Sequence, residues 1–174
     1  KKAAVPVEDN DGFNRSHIIG KSKALMDVLA TIKRIARTNA SVLITGESGT
    51  GKELIAEAVH LNSSRSKKPF VKVNLGGTFE VLGDSRPRKV DIRVVSATNA
   101  DLRQMVQEHT FREDLFYRIN LITVHLPALR ERREDIPLLA RHFADRQAAV
   151  NGLPRTEFSA DALNFLSRLP YSGN

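Results

Sequence analysis

The feature that most constrains what this chain can fold into is a glycine-rich loop between a strand pattern and a helix pattern. The loop comprises Gly46, Glu47, Ser48, Gly49, Thr50, Gly51 and Lys52. Residues 41–45 before it are rich in β-branched side chains, and residues 54–59 after it carry apolar side chains at helical spacing. A strand, a glycine loop that ends in Lys and a helix, in this order, predict a phosphate-binding loop.

Each part of this pattern has a physical reason. Glycines let consecutive backbone N–H groups turn toward one phosphate with no Cβ in the way. The following helix presents the positive end of its dipole to the same anion. Lys52 adds a mobile cation for the outer phosphates. The pattern and its context together favour a nucleotide site over an ordinary glycine turn.

Residue 53 departs from the general motif. Most loops of this kind have Ser or Thr there, whose hydroxyl binds Mg²⁺, whereas this chain has Glu53. A carboxylate could hold the metal through water, or it could simply stabilise the helix N-terminus. Both interpretations of Glu53 stay open at this point.

Composition sets the class of protein. The chain has 174 residues, 41% of them hydrophobic and 27% charged, which suits one globular core. It has no cysteine, so it can form no disulfide and no thiolate metal site. No apolar run approaches the ~18 residues of a membrane span, and no signal-peptide core follows the first residues. A cytoplasmic protein is therefore expected.

The net charge of +7 suits a partner that carries phosphates. The basic residues are scattered, and only 6% of residues are aromatic, so no aromatic and basic platform for nucleic acid is evident. One tight cluster, Arg130, Glu131, Arg132 and Arg133, is interpreted either as an interface patch or as a surface charge run at a domain junction. Direct DNA binding remains an alternative that the charge alone supports.

Alternating strand and helix patterns predict a parallel α/β sheet followed by a helical tail. Ser22 is expected to cap a helix with the apolar stripe Leu25, Val28, Leu29, Ile32 and Ile35. The predicted strands are 41–45, 70–75, 92–97 and 121–126. The later predicted helices are 52–61, 101–109, 112–119, 134–150 with Pro137 in its first turn, and one capped by Ser159.

The connection between the predicted strands 70–75 and 92–97 does not fit a parallel sheet. Parallel neighbours need a crossover of a dozen or more residues, normally a helix. Residues 76–90 between two predicted strands carry three glycines, a proline and no helical stripe. The chain also lacks an apolar run ending in Asp-Glu, the acid pair that P-loop ATPases use. We therefore expect that a segment is missing near Gly77 and Thr78. Either it is deleted from the protein, or the residue numbering continues across a segment that it does not count.

The chain closely resembles the AAA+ ATPase domain of bacterial enhancer-binding proteins, the sigma-54-dependent transcriptional activators of the response-regulator and Fis-type class. The matching stretches, besides the loop with Glu53, are Phe-Val-Lys-Val-Asn at 70–74, Ser-Ala-Thr-Asn-Ala-Asp-Leu at 96–102, Phe-Arg-Glu-Asp-Leu-Phe-Tyr-Arg-Ile-Asn at 111–120 and Leu-Pro-Ala-Leu-Arg-Glu-Arg at 126–132. The resemblance implies a P-loop AAA+ α/β fold with a partial helical lid. We expect a linker or expression remnant at 1–16, a nucleotide-binding subdomain at 17–127 and a lid at 128–174.

The resemblance also implies how nucleotide binds. The loop from Gly46 to Glu53 would hold the phosphates of ATP with Mg²⁺, and Lys52 would act in catalysis. Ile18, Ile19 and Gly20 fall where the family contacts adenine.

Four further residues receive catalytic roles from the resemblance. Asn74 matches a residue that holds the catalytic Glu until substrate engages, and Asn99 matches the sensor of the γ-phosphate. Arg112 and Arg118 match two arginines offered across a ring interface to a neighbour's ATP, where a guanidinium suits the charge on a transferring phosphoryl group. Asn99 could instead be a turn or capping residue. The two arginines point in different directions if one helix carries both.

The sequence also departs from the family. The substrate-engaging Gly-Ala-Phe-Thr-Gly-Ala loop and the acidic pair are absent, and both belong where the segment is missing. Ser172 stands where the family usually has Pro. The sensory domain and the DNA-binding helix-turn-helix of the family are also absent from this chain, so any DNA contact would come from elsewhere.

The function expected from the resemblance is an ATP-hydrolysing motor. It would assemble as a hexameric or heptameric ring and remodel the sigma-54 RNA polymerase holoenzyme to activate transcription. The alternative is a nucleotide-binding, ring-assembling module without turnover, if the acidic pair and substrate loop are truly deleted.

Overall fold

A computed structural model describes residues 12–15, 17–73 and 91–174. In chain order the elements are α1 (Lys23–Ala36), β1 (Val42–Thr45), α2 (Lys52–Leu61), β2 (Val95–Thr98), α3 (Leu102–Gln107), α4 (Glu113–Ile119), β3 (Ile122–His125), α5 (Ile136–Asn151) and α6 (Ala160–Arg168). Single 3-10 turns at Leu129–Glu131 and Arg133–Asp135 connect β3 to α5. The predicted α/β class is confirmed.

The sheet has three strands in the order β2-β1-β3, and both outer strands run parallel to β1. Thr45, the last residue of β1, lies in register with Thr98 of β2 and with His125 of β3. All three strands therefore end at the same level. The loops that follow them must meet at this edge, where ligands bind in open parallel sheets.

The core lies between one face of the sheet and the helices α1 and α2. The five apolar positions of the predicted α1 stripe are all buried, which confirms that prediction. They pack with a larger cluster that includes Val42, Ile44, Ile55, Val59, Val124 and Leu126. This packing fixes α2 against β1, and it thereby fixes the loop that joins them.

A buried carboxylate joins α1 to the segment before α5. Asp135 is 0% exposed and accepts hydrogen bonds from the backbone N–H groups of Lys21 (2.6 Å) and Ser22 (2.8 Å). It also accepts from Ser22 Oγ at 2.6 Å. Ser22 Oγ in turn accepts from the N–H of Leu25 and caps α1, as the sequence predicted.

Gly20 makes this contact possible. Its φ of 146° favours glycine. A Cβ at this position would lie 2.6 Å from Asp135 Oδ2 and 2.5 Å from Leu25 Cδ2. Any larger residue would have to displace the buried carboxylate or the core leucine.

The predicted strand 70–75 is wrong for its described part. Residues 70–73 have no strand conformation, and Val71 and Val73 are 76% and 58% exposed. An extended segment becomes a strand only when a neighbour pairs with its backbone groups. In the described ranges the sheet provides β1, β2 and β3 and no ladder to residues 70–73.

The expected linker also begins to pack earlier than predicted. Phe13 is only 5% exposed and belongs to the core cluster. Asn14 exchanges two hydrogen bonds with Asn62 at the end of α2: its N–H donates to Oδ1 at 2.8 Å, and its carbonyl accepts from Nδ2 at 2.7 Å. One aromatic residue in a polar stretch was too weak a signal for the sequence to reveal this.

The helical tail matches its prediction closely. Pro137 lies in the first turn of α5, where its missing N–H costs no helical hydrogen bond. Ser159 Oγ accepts from the N–H of Ala162 and caps α6. None of the described helices is both long and apolar enough to cross a bilayer.

The C-terminus of α3 carries an unfavourable residue. His109 has a φ of 57°, in the left-handed region that favours glycine. Its N–H donates to the carbonyl of Val106 at 3.1 Å, and the N–H of Thr110 donates to that of Met105 at 2.9 Å. These two bonds form a Schellman motif, in which the left-handed position is usually Gly. The predicted helix 101–109 ends at Gln107 for this reason.

Removal of the buried carboxylate should unfold the protein more easily. Asp135→Ala leaves three donors without an acceptor, so we expect the free energy of unfolding to fall by about 3 kcal/mol or more. Asp135→Asn should cost less, because its amide oxygen can still accept from both backbone N–H groups. Urea denaturation measures both values. A loss below about 1 kcal/mol for the Ala variant would contradict this role.

Replacement of His109 tests the helix end. His109→Gly should raise the free energy of unfolding by about 1 kcal/mol, because glycine adopts positive φ without a steric penalty. His109→Ala is the matched control, since it removes the imidazole but keeps Cβ, and it should give no gain. Thermal or urea denaturation would report the difference. Equal effects of the two variants would mean that the imidazole, and not the backbone, determines stability here.

Candidate functional site

The glycine loop lies at the edge where the three strands end. It leaves β1 after Thr45 and enters α2 at Lys52. Because α2 has 10 residues and packs on the sheet, its N-terminus is held at that edge. Gly51, the N-cap, makes no side-chain capping bond, so backbone N–H groups at this end can serve an anion.

Gly49 lies against the end of the chain. Its φ is 79°, and a Cβ there would overlap the carbonyl oxygen of Gly173. The close approach of two backbones at this point requires glycine. The loop is therefore packed on its outer side by residues 173–174.

Lys52 folds back over its own loop. Its Nζ donates to the carbonyl of Gly46 at 2.7 Å and to that of Glu47 at 2.6 Å. Partial burial lowers the pKa of this ammonium from its ordinary value. The cation is thus already located inside the turn that the sequence predicted to hold phosphate.

Glu53 forms an ion pair with a residue outside the loop. Its Oε1 accepts from Lys72 Nζ at 2.7 Å, and both side chains are largely exposed. Lys72 also lies 5.8 Å from the centroid of the Phe70 ring. In the described parts of the chain, no three His, Cys, Asp or Glu side chains gather to hold a metal ion.

Glu47 is paired with residues far along the chain. Arg130 Nη1 donates to its Oε2 at 2.7 Å, and Arg130 Nη2 donates to its Oε1. Asn174 Nδ2 donates to the same Oε2 at 3.2 Å and to the carbonyl of Ser48 at 3.1 Å. Hydrogen bonds from Arg130, and then from Asn174, lower the pKa of Glu47 to about 2.

Arg132 reaches the same loop from the buried side. It is 8% exposed, and its Nη2 donates to the carbonyl of Thr50 at 2.9 Å. From the sequence, the cluster at 130–133 is either an interface patch or a surface charge run at a domain junction. In the structure Arg130 and Arg132 join this segment to the glycine loop, while Arg133 donates to the carbonyl of Arg130.

Asn99 follows β2 directly, and its register places it beside the start of the glycine loop. A cavity of about 430 Å³ opens at this edge. Its lining includes Asn99, Gly46, Glu47 and His125, and His125 Nδ1 lies 3.2 Å from Thr45 Oγ1. The predicted sensor residue and the loop therefore share one cavity.

The predicted adenine contacts lie next to α1. Ile18 is 7% exposed and belongs to the core cluster, whereas Ile19 and Gly20 are half-buried. The hydrogen bonds of Asp135 to Lys21 and Ser22 hold the segment in place. Asn74, the predicted partner of the catalytic Glu, lies outside the described residues.

The two predicted ring arginines lie at opposite ends of α4. Arg112 is the residue before the helix and has extended backbone dihedrals, while Arg118 is in the last turn. Both are exposed. Arg112 forms a two-bond ion pair with Asp114, through Nε at 3.0 Å and Nη2 at 2.9 Å. Because the helix begins after Arg112, the two arginines are not fixed on one continuous helix.

Two family profiles match this chain. The one described as Sigma-54 interaction domain matches residues 18–80 and 76–125, and the one described as AAA+ ATPase lid domain matches residues 130–174. The first therefore covers more than half of the chain, in two segments that meet at residues 76–80.

Curated relatives and solved structures agree with these profiles. The Escherichia coli regulatory protein AtoC is 38% identical over 218 positions, which cover 91% of this chain and 47% of AtoC. Escherichia coli NtrC, a DNA-binding transcriptional regulator, is also 38% identical, over 90% of this chain and 46% of NtrC. The structure of Brucella abortus NtrX in complex with ATP has a TM-score of 0.84 at 32% identity, over 91% of this chain and 50% of that one.

These matches cover only part of each relative. The chain spans about half the length of the curated relatives it matches. The AtoC alignment runs over 218 positions although this chain has only 174 residues. AtoC therefore carries residues that have no counterpart here.

The ion pair at Glu47 can be tested by titration. The folded pKa of about 2 lies below the ordinary 4.5, so the pair stabilises the fold above pH 4.5 and this contribution is lost as the pH falls toward 2. Arg130→Gln should raise the pKa of Glu47 toward its ordinary value, as measured by NMR of the side-chain carboxyl carbon. Asp114, which pairs with Arg112, is the internal control and should not shift. An unchanged Glu47 midpoint in Arg130→Gln would contradict the pairing.

Proposed function

The chain belongs to the sigma-54 activator family of AAA+ domains, and on that premise we propose that the loop from Gly46 to Lys52 binds ATP. The observation that carries the proposal is a glycine loop that leads into α2 with Lys52 at its start and no side-chain cap on the helix. The loop lies at the carboxyl edge of a parallel sheet, where nucleotides bind in related α/β folds.

The residues of the loop fit a triphosphate. Gly49 and Gly51 both have positive φ, which turns backbone N–H groups toward a common centre. Lys52 needs no rearrangement of the backbone, because exchange of its two carbonyl partners for phosphate oxygens is a local movement of one side chain. Ile18, Ile19 and Gly20 are proposed to contact the base.

Mg²⁺ is proposed to arrive with the nucleotide. This ion keeps several waters and usually binds substrate phosphates together with one or two protein groups, so a protein cluster of three ligands is not required. Glu53 could contribute through water only if it released Lys72. When bound, the ion would supply positive charge against the phosphate oxygens.

Arg112 and Arg118 are proposed to serve a neighbouring subunit of a ring. Both extend from α4 into solvent, and Arg112 is 80% exposed in its side chain. Its ion pair with Asp114 is exposed and thus worth little, so a phosphate of a neighbour's ATP could replace the carboxylate. A guanidinium at that position would stabilise charge on the transferring phosphoryl group.

Two observations favour a module that binds nucleotide without turnover. The sequence carries no apolar run ending in an acidic pair, and such a residue positions the attacking water in P-loop ATPases. The match to the Sigma-54 profile breaks at residues 76–80, and the AtoC alignment is longer than this chain. Both support the absence, near Gly77 and Thr78, of a segment that relatives carry.

The role in transcription follows from the family and is proposed for the protein as a whole. Members with the complete segment would couple hydrolysis to remodelling of the sigma-54 RNA polymerase holoenzyme. This chain is proposed to enter such rings as a nucleotide-bound subunit. Contact with DNA would require a domain outside these 174 residues.

Nucleotide binding and turnover can be measured separately. The chain should bind a fluorescent ATP analogue, and Lys52→Ala should raise the Kd about tenfold or more because it removes the cation of the loop. Lys67→Ala removes the same charge from an exposed position and is the matched control, so its Kd should be unchanged. Equal effects of the two variants would contradict binding at the loop.

The turnover arm uses phosphate release. With saturating ATP, the chain should release no more phosphate than Lys52→Ala does. The intact mass of the purified polypeptide should be near 19.3 kDa, which would show that it contains no further residues near Gly77 and Thr78. Release well above the Lys52→Ala background would overturn the module without turnover and restore the hydrolysing motor.

A further inference from the structure

The rim of the glycine loop carries a carboxylate that two distant residues hold in place. Glu47 lies between Gly46 and Ser48, whose backbones line the proposed phosphate cradle. Arg130 binds both of its oxygens, and Asn174 binds one of them. Asn174 is itself oriented, because its Oδ1 accepts from the N–H of Leu129 at 2.6 Å. The turn at 129–131 and Asn174 thus both contact the Glu47 side chain.

Stability does not explain this arrangement. The side chains of Arg130 and Glu47 are 40% and 44% exposed, and exposed ion pairs contribute about 0–1 kcal/mol. The buried contact of Arg132 with the carbonyl of Thr50 already joins the same two segments. The contribution of Arg130 must therefore be sought in the charge that it places beside the loop.

The charge has a direct consequence for a polyanionic ligand. Hydrogen bonds from Arg130 and Asn174 favour the ionised form of the Glu47 carboxylate and lower its pKa, so it carries a negative charge at neutral pH. An unpaired negative charge at the rim of a phosphate cradle repels a triphosphate. A guanidinium bound to both carboxylate oxygens cancels that charge and keeps the carboxylate turned toward residues 130 and 174.

We propose that Arg130 is a positioning residue of the nucleotide site, which acts through Glu47 to remove negative charge from the rim of the phosphate cradle. This inference rests on the proposed function, since it requires that nucleotide binds at the loop. The effect of Arg130 on the Kd should therefore grow with the negative charge of the ligand's phosphate groups. Removal of Glu47 should abolish the need for Arg130.

The test compares ATP with adenosine in four proteins: the unchanged chain, Arg130→Gln, Glu47→Gln and the double variant. Arg130→Gln should raise the Kd for ATP roughly tenfold and leave the Kd for adenosine within about twofold. Arg130→Gln added to Glu47→Gln should change the Kd for ATP by no more than about twofold, because no carboxylate charge is left for Arg130 to cancel. The ATP effect of Arg130→Gln should shrink as salt rises.

Arg133→Gln is the matched control, because it removes the same charge from the same segment without touching Glu47. It should change the Kd for ATP far less than Arg130→Gln does. Thermal denaturation of every variant checks that the fold is kept.

Four outcomes overturn the inference. An equally large rise in the Kd for ATP when Arg130→Gln is added to Glu47→Gln would show that Arg130 does not act through Glu47. Equal losses for ATP and adenosine would remove the charge argument, and so would equal effects of Arg133→Gln and Arg130→Gln. Failure of the unchanged chain to bind ATP would refute the proposed function as well, which distinguishes the two failures.

Discussion

The level ends of the three parallel strands determine where every candidate residue of this chain can lie. β1 is buried between two neighbours, and its register with both places Thr45, Thr98 and His125 in one row. Whatever follows these residues must emerge at the same edge. The glycine loop and Asn99 share a cavity for that reason, although 53 positions separate Gly46 from Asn99 along the chain. A slip of one residue in either ladder would turn every side chain of that strand to the other face of the sheet.

Much of this arrangement follows from local sequence, and the remainder depends on contacts between distant segments. The stripe of α1, its Ser22 cap and the start of α2 at Lys52 were predictable, because spacing and capping act within a few residues. The pairing of Arg130 with Glu47 joins positions 83 apart, and a charge run alone does not specify which partner it meets. Likewise, residues 70–73 have the composition of a strand, but strand formation depends on a neighbour that the local sequence does not supply.

Segments from the helical tail hold the nucleotide-binding half at two points. Asp135 fixes the residues before α1, next to the proposed base contacts. Arg132 and Asn174 fix the glycine loop, where the phosphates are proposed to bind. Residues 132–135 alone therefore contact both the segment of the proposed base contacts and the glycine loop.

The position of Lys52 has a thermodynamic consequence for the ligand. A free lysine side chain loses about 1.5–2 kcal/mol of rotamer entropy when it is immobilised. Here the ammonium is already ordered by two carbonyl oxygens and partly removed from water. That entropy is lost during folding and not during binding. The entropy of nucleotide association should therefore be less unfavourable than that of a loop with a mobile lysine, because binding only exchanges hydrogen-bond acceptors around a preorganised cation.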